Sequence, residues 1–340
     1  MLVLVVAVLG ALLPTAFYVL FVWWLDRYEK EPLWLLALAF LWGAGPAAIL
    51  SIIFELIVYD PISALGGGGQ AANLLSLSVS VPIIEESFKG IALIGLVLLF
   101  HREFDDVLDG IVYGAMIGFG FAFTENFAAY VVPILKGEGM SAGLVNVFMR
   151  TVVFGANHGF WTGITGAAVG YARLARGWGQ RLLAPVAGWA LAVLFHSMHN
   201  LGVSMVQQAL CLALGFTVAM NWGGVLLLLL IAVSALRKEG RWIERGLAEE
   251  IGRGALTPEE CDLLRSPGQR LWVQWQAYRR GGRQASRAVG RYYRSATELA
   301  FKKRNRRLPA DEGGEPFDIA GLRRQLAIHR TLAWPWLWPA

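Results

Sequence analysis

Two adjacent glutamates followed by a lysine form the sharpest chemical motif of the chain, Glu85-Glu86-Ser87-Phe88-Lys89. In a helix, Lys89 comes four residues after Glu85 and three after Glu86, so one face can hold all three side chains. Two neighbouring carboxylates in a medium of low dielectric resist ionising together. One of them can then pair with Lys89 while the other acts as a general base, and the spacing leaves open which one. A purely structural ion pair is the alternative.

Three further apolar segments contain polar side chains that could do chemistry. They are Glu125 with Asn126, then His158, and then His196 with His199 and Asn200. The last three residues share one helical face through their i, i+3, i+4 spacing. A charged group at the centre of a transmembrane helix costs roughly 2.5–3.5 kcal/mol on insertion scales, so such groups are functional candidates.

These polar groups belong to a chain that is too apolar for a soluble globular protein or a disordered one. Of its 340 residues, 56% are hydrophobic and 16% are charged, and the mean hydropathy is +0.50. A soluble domain has roughly 45–50% apolar and about 25% charged residues. The composition therefore predicts a membrane protein.

Seven apolar segments are long enough to cross a bilayer, which takes about 20 helical residues. The third contains Pro82, which suits a first helical turn, so a shallow segment over 72–81 can precede its spanning part. The predicted fold is an all-α, polytopic transmembrane helix bundle of about seven spans, with eight as the alternative count. The predicted spans are Leu2–Leu25, Leu33–Tyr59, Ala72–Phe100, Val107–Leu135, Leu144–Ala172, Leu182–Ser204 and Ala209–Leu236.

Charge patterning predicts the orientation and two domains. Lys and Arg concentrate in the alternate loops 26–32, 101–106 and 173–181, which places these loops in the cytoplasm and the N-terminus outside. Residues 1–236 contain 9 Lys/Arg and 13 Asp/Glu, whereas residues 237–340 contain 21 and 12. We therefore expect a transmembrane domain over the first range and a basic, helical cytoplasmic tail over the second.

Two rows of glycine recur every four residues, Gly110, Gly114 and Gly118, and then Gly155, Gly159 and Gly163. Such rows let transmembrane helices approach each other closely. They predict close backbone packing on the fourth and fifth spans, and both of these spans contain polar groups.

The acids Asp105, Asp106 and Asp109 open the fourth span, where carboxylates cap free backbone amides and interact favourably with the helix dipole. We expect them to cap the helix rather than to act in catalysis. Glu55 and Arg150 are expected near the outer interface.

The ordered set of motifs on these spans resembles the PrsW family of intramembrane proteases, which is related to the larger group that includes the CAAX-processing proteases. The resemblance covers about residues 2–236. Its motifs are Glu85-Glu86-x-x-Lys89, Asp105-Asp106-x-x-Asp109-Gly110, Phe121-x-x-x-Glu125-Asn126, His158 and His196-x-x-x-Asn200. The related proteases more usually have His where this chain has Glu125, and Arg after their paired glutamates.

The resemblance implies an endopeptidase of a bacterial plasma membrane that cleaves membrane-anchored, single-span substrates such as anti-sigma factors. A water activated by a glutamate would attack the carbonyl carbon. The implied roles are water activation by Glu85 or Glu86, water holding by Glu125 and His158, oxyanion hydrogen bonds from His196 and Asn200, and support from Lys89, Asn126 and His199.

No cofactor is favoured, and zinc is the alternative within the enzyme class. Two histidines and one or two glutamates make a plausible catalytic ligand set for zinc. The chain lacks the H-E-x-x-H spacing of common zinc proteases. A glutamic-type mechanism is therefore preferred over a metallo-type one.

Two other classes of protein compete with a protease. An ion-coupled transporter would use buried Glu and His as a proton relay and would need a polar pathway to both membrane faces. A non-catalytic membrane scaffold would bind a partner helix through its glycine-rich face and would tolerate Glu86→Gln.

The basic tail contains its own signals. Thr257-Pro258-Glu259-Glu260 is a capping box that begins a helix. Residues 268–307 contain 12 Lys/Arg and a single acid, with aromatic residues interleaved, which predicts contact with anionic lipid. No nucleic-acid motif is present. A linker is expected over 309–316 and a short helix near 317–330, and the Trp-rich end could insert at the membrane interface.

Overall fold

The computed structural model describes residues 2–28, 30–65, 69–101, 103–135, 145–206, 209–305 and 318–338. These ranges are almost entirely helical and contain no strand, which confirms the all-α prediction. They form two compact units, Met1–Asp26 with Glu31–Ala232, and Arg27–Lys30 with Val233–Ala340.

The first unit is a bundle of apolar helices. Within the described residues we number them α1 Leu2–Leu25, α2 Leu33–Trp42, α3 Ala48–Leu65, α4 Gly69–Leu75, α5 Val81–Leu99, α6 Val107–Leu135, α7 Asn157–Leu174, α8 Trp178–Ser204 and α9 Leu210–Gly252. Three π-helical turns, Gly43–Ala47, Ser76–Ser80 and Met149–Val153, lie between or before them. α9 extends past the division between the units.

Five of these helical stretches are long and apolar enough to cross a membrane. They are Val8–Leu25, Leu33–Val58, Val107–Val131, Trp178–Ser204 and Leu210–Gly252. Each corresponds to a predicted span, and α1 and α6 have the predicted bounds. The predicted total of seven stays a prediction.

The other two predicted spans differ in their details. The third is helical from α4 through the π turn to α5, and Pro82 lies in the first turn of α5 as predicted. The span predicted over Leu144–Ala172 is interrupted in the part of it that the structure describes, 145–172. The π turn ends where the Phe154 amide bonds the Met149 carbonyl, and α7 begins only at Asn157. Because π-helical turns often occur at functional sites, this break makes the segment around Met149–Val153 a candidate part of such a site.

The glycine row of α6 packs directly on the backbone of α7. A Cβ placed on Gly110 would lie 2.0 Å from the carbonyl oxygen of Gly166, and one on Gly118 would lie 2.1 Å from that of His158. A Cβ on Gly114 would lie 2.5 Å from the carbonyl oxygen of Thr162. The predicted close packing on α6 is therefore confirmed, and it fixes the height of His158 against α6.

Two glycines of the predicted row on α7 also lie against α6, because a Cβ on Gly118 would lie 2.8 Å from the amide nitrogen of Gly159 and one on Gly114 would lie 3.1 Å from Cα of Gly163. Gly166 and Gly170 face backbone carbonyls of residues Gly110 and Asp106, whereas a Cβ on Gly159 would meet the ring of Phe119. Gly163 meets a side chain of α9, and Gly155 precedes the helix. Spacing alone does not distinguish a glycine that admits a backbone from one that admits a side chain.

Replacing Gly166 with alanine is expected to destabilise the bundle. Its Cβ would lie 1.8 Å from the carbonyl oxygen of Gly110, so α6 and α7 must separate. Overpacking of this kind costs about 1–3 kcal/mol, and we expect a lower midpoint of thermal unfolding in detergent. Gly95→Ala on α5 is the matched control, because a Cβ there meets no atom within 4 Å. Equal midpoints for both variants would contradict the packing argument.

The second unit has a separate core. Within the described residues its further helices are α10 Pro258–Arg265, α11 Pro267–Asn305 and α12 Ile319–Leu337. The predicted capping box of Thr257 and Glu260 is confirmed at the start of α10. The predicted final helix is present and extends to Leu337, so most of the Trp-rich end is helical. The predicted linker over 309–316 lies outside the described residues.

Candidate active site

The two glutamates and the lysine of α5 form a buried ion-pair cluster. The Nζ atom of Lys89 lies 3.1 Å from Oε2 of Glu85 and 2.9 Å from Oε1 of Glu86. The lysine side chain is fully buried, and its ammonium also lies 3.7 Å from the centre of the Phe121 ring. The pairing expected from the i, i+3, i+4 spacing is therefore formed. It supplies the partner that a buried ammonium needs.

Glu86 has hydrogen-bond partners on both oxygens. Its Oε1 lies 3.2 Å from Nδ1 of His196, and its Oε2 accepts a hydrogen bond of 3.2 Å from Thr162. The indole of Trp161 stacks on the His196 ring with centroids 4.0 Å apart. These contacts join α5, α7 and α8 and leave the Glu86 carboxylate fully engaged.

His158 connects the lysine to a second carboxylate. Its Nδ1 lies 3.0 Å from Nζ of Lys89, and its Nε2 lies 2.7 Å from Oε2 of Glu125. An ammonium can only donate, so Nδ1 accepts and Nε2 carries the proton. Both ring nitrogens of His158 are thus directed at charged neighbours.

Glu125 is held by an arginine that comes from the π turn before α7. Arg150 donates to a Glu125 oxygen through Nη2 and to Asn126 Oδ1 through Nε at 2.8 Å. The sequence placed Arg150 only near the outer interface, because its partners lie about 25 positions away. A carboxylate followed by an amide within one apolar segment, with one arginine at the start of the next, is the signal that could have suggested the pair.

His199 and Asn200 contact residues outside the cluster on α5. Nδ1 of His199 lies 3.0 Å from the Asn221 amide nitrogen and 3.3 Å from that of Asn157. Asn200 donates a hydrogen bond of 2.8 Å to the carbonyl of Leu77 in the second π turn. This bond links the end of α8 to the segment before α5.

A cavity of about 840 Å³ adjoins these groups. Of the three residues in the cluster on α5, Glu85 lines the cavity. Apolar side chains line much of the remainder, including Ile52, Leu77 and Val203. Its polar lining residues are Ser51, Glu55, Glu85, Thr124, Glu125, Asn126, Asn146, Arg150, Asn157, His158, His196, His199, Asn200 and Ser204. Seven of the nine sequence-predicted site residues therefore face one space.

Three residues next to the histidines were not singled out from the sequence. Trp161 and Thr162 follow His158 by three and four positions, so helical spacing from that histidine could have identified both. Asn221 on α9 contacts His199 only through the tertiary fold.

The acids at the start of α6 cap it, as predicted. Asp106 Oδ1 accepts from the amides of Leu108 and Asp109, and Asp109 Oδ2 accepts from those of Asp105 and Asp106 at 2.9 Å each. They order the start of the helix whose middle packs on α7.

The donor atoms of Glu85, Glu86 and His158 could hold a metal ion, because they lie within 4.8 Å of one another. Two carboxylates and an imidazole suit zinc. However, the Lys89 ammonium lies 2.9–3.1 Å from a donor atom of each of these three residues. A positive charge already holds the position between the donors, so the residues as arranged do not fit a resident metal ion.

Comparison with known proteins identifies a family. The family model described as PrsW family intramembrane metalloprotease matches residues 31–234, which is more than half of the chain. Protease PrsW of Bacillus subtilis (strain 168) is 30% identical over 141 residues, covering 41% of this chain and 59% of that protein. Protease PrsW of Oceanobacillus iheyensis is 27% identical over 170 residues, covering 50% and 70%. No solved structure matches the chain.

Proposed function

Since the chain belongs to the PrsW family, we propose that it is an intramembrane protease that hydrolyses peptide bonds through a glutamate-activated water. The matched segment spans 59% of the Bacillus subtilis relative, so the activity of the whole protein is part of the proposal. The observation that best supports this proposal is that Glu85 lines the cavity beside the buried cluster of Glu86, Lys89 and His196.

Glu85 is the better candidate for the general base. It lines the cavity, and its contact with Lys89 uses one oxygen, whereas Glu86 has a partner on each oxygen. A base must reach the proton that it abstracts. Glu86 then serves to hold Lys89 and His196 in place.

The space between Glu85 and His196 suits the attacking water. Nδ1 of His196 donates to Glu86, so Nε2 has a free lone pair. Nε2 lies 4.0 Å from Oε2 of Glu85, the oxygen that also accepts from Lys89, and a water beside them can donate one hydrogen to Nε2 and one to the Glu85 carboxylate. Its oxygen lone pairs then face the cavity. Water holding by Glu125 and His158 stays a prediction, since each has other close partners.

The reaction balances with these groups alone. Glu85 takes a proton from the water as its oxygen bonds to the carbonyl carbon, which gives a tetrahedral oxyanion. Glu85 returns the proton to the amide nitrogen as the carbon–nitrogen bond breaks, releasing a carboxylic acid and an amine. Asn200 donates one amide hydrogen to Leu77 and has a second for the oxyanion.

We propose that the substrate is a single-span membrane protein, such as an anti-sigma factor, that enters the cavity in an unwound form. The apolar lining suits side chains that leave a lipid environment. The bacterial relatives support a bacterial membrane. An external N-terminus remains part of this proposal.

The function is tested by reconstituting the full chain in proteoliposomes with a panel of labelled single-span proteins. We expect new amino termini to appear with the wild type and to be missing with the double variant Glu85→Gln/Glu86→Gln. Identical products from both proteins would overturn the protease proposal.

Metal removal is expected to leave the proteolytic rate unchanged. The lysine ammonium lies between the donor atoms that a metal ion would need, and this contact supports a mechanism without a resident ion. The measurement compares the initial rate before and after dialysis against a strong zinc chelator, with a known zinc protease as the positive control. Loss of activity that added Zn²⁺ restores would favour the zinc mechanism instead.

A further inference from the structure

The first part of α11 exposes large apolar side chains on the face opposite its packed side. Arg270, Val273 and Ala277 are buried and face the core of the second unit. At 100° per residue, four exposed apolar residues fall within an arc of about 120° on the other side. They are Leu271 (45% exposed), Trp272 (52%), Trp275 (54%) and Tyr278 (52%). We call these four residues the aromatic face.

Single exposed apolar residues are ordinary on a soluble protein, but a contiguous set marks a binding surface. Two tryptophans and a tyrosine are the side chains favoured at the boundary between lipid and water, since each joins an apolar ring to a polar N–H or O–H group. Arg279 lies over the Trp275 ring with its guanidinium 4.9 Å from the centroid. The face therefore combines aromatic rings with positive charge.

The second part of α11 exposes a basic row. The chain reverses at Gly281 and Gly282, where Gly282 has a φ of +63°. Gln274 donates to the Ser286 carbonyl at 3.3 Å, so the two arms lie side by side as a helical hairpin. Arginines at i, i+4, i+8 and i+11 point away from the packed side of the second arm. This basic row consists of Arg283, Arg287, Arg291 and Arg294, all exposed.

The end of α12 is fixed to the same hairpin. Arg280 donates to the carbonyls of Trp336 and Trp338 at 2.6 and 2.9 Å. The Trp336 ring packs against Gly281, where a Cβ would lie 2.6 Å from it. Trp334 and Trp338 are exposed at this end. The Trp-rich end that the sequence pointed to is thus joined to the turn of the hairpin.

We propose that this hairpin docks on the surface of an anionic lipid bilayer, with the aromatic face in the headgroup region and the basic row against the lipid phosphates. Charge complementarity identifies the occupant, because the exposed residues of both arms include six arginines, Arg279, Arg280, Arg283, Arg287, Arg291 and Arg294, and one acid, Glu298. The same chain contains five helices long and apolar enough to cross a membrane, which keeps the hairpin near a bilayer at high effective concentration.

The test measures the depth of a fluorescent probe on the full chain in lipid nanodiscs. In a Cys211→Ser background, an environment-sensitive probe is attached at Trp275→Cys or at Ala255→Cys, an exposed position in the loop before α10. The remaining Cys261 is buried, and burial raises the pKa of its thiol, so it reacts slowly. Lipids with a spin label at a shallow acyl position quench probes that reach the interface.

We expect quenching and a blue shift at position 275 in nanodiscs that contain phosphatidylglycerol, weaker quenching in zwitterionic nanodiscs, and none at position 255. The variant Arg283→Gln/Arg287→Gln/Arg291→Gln/Arg294→Gln should lose the quenching, since these side chains are exposed and the fold does not depend on their packing. Absence of quenching at position 275, or quenching that this variant retains, would overturn the proposal. A blue shift without quenching would assign the face to a protein partner instead.

Discussion

Glu85→Gln is expected to lower the rate of peptide-bond hydrolysis by roughly 10²–10⁴, the usual contribution of a general base. The amide keeps the size of the side chain and can still accept from Lys89, but it cannot take a proton from water. Lys89 retains Glu86 as its counter-ion at 2.9 Å, so the folded bundle should keep its unfolding midpoint. The measurement is single-turnover cleavage in proteoliposomes at matched protein levels.

Glu86→Gln is the matched comparison at the neighbouring position. Glu86 bonds Lys89, His196 and Thr162, so its replacement leaves buried donors with poorer partners. We expect a loss of about 1–3 kcal/mol in the free energy of unfolding along with reduced activity. If Glu86→Gln were inactive at a wild-type unfolding midpoint while Glu85→Gln remained active, the two glutamates would have the opposite roles.

Lys89→Met is expected to have the largest effect on stability. The fully buried ammonium bonds both glutamates, and its removal leaves two carboxylates without their counter-ion. Breaking a buried ion pair by removing one partner costs about 3–5 kcal/mol. The unfolding midpoint in detergent should fall accordingly. The control Lys238→Met removes an exposed lysine from α9, whose ammonium lies 5.0 Å from the centre of the Trp242 ring, and should lower the midpoint far less.

Neutralising all three residues of the cluster shows how much of the stability lost in Lys89→Met comes from the unpaired carboxylate charges. In Glu85→Gln/Glu86→Gln/Lys89→Met no uncompensated charge is left, so the triple variant should be more stable than Lys89→Met alone. A triple variant that is less stable than Lys89→Met would mean that the carboxylates stabilise the fold through their bonds to His196 and Thr162 more than they destabilise it as unpaired charges.

The cations of the site are supplied by the chain itself, through Lys89 and Arg150. The position that a metal ion would take between two carboxylates and an imidazole is held by an ammonium of the chain itself, although the family description names metalloproteases. Glu125 is tied to Arg150, and this pair reaches the cluster through His158. The π turn at Met149–Val153 presents Arg150 at the cavity.

The sequence determined the features that depend on short-range spacing. The i, i+3, i+4 positions of Glu85, Glu86 and Lys89 put their side chains on one turn, and the structure has both ion pairs. The bounds of α1 and α6 and the capping box before α10 depend on local composition and hydrogen bonds. Helical geometry converts such spacing directly into contact.

Only the tertiary structure decided which groups meet across helices. It selected Glu85 over Glu86 for the cavity, paired Arg150 with Glu125, and placed Gly166 against the backbone of Gly110 on α6. These contacts depend on the rotation and axial shift of each helix relative to its neighbours. The rotation and axial shift are determined by the packing of whole helix faces. Where two backbones come close at one glycine, the contact fixes the axial position of every side chain of one helix relative to the other.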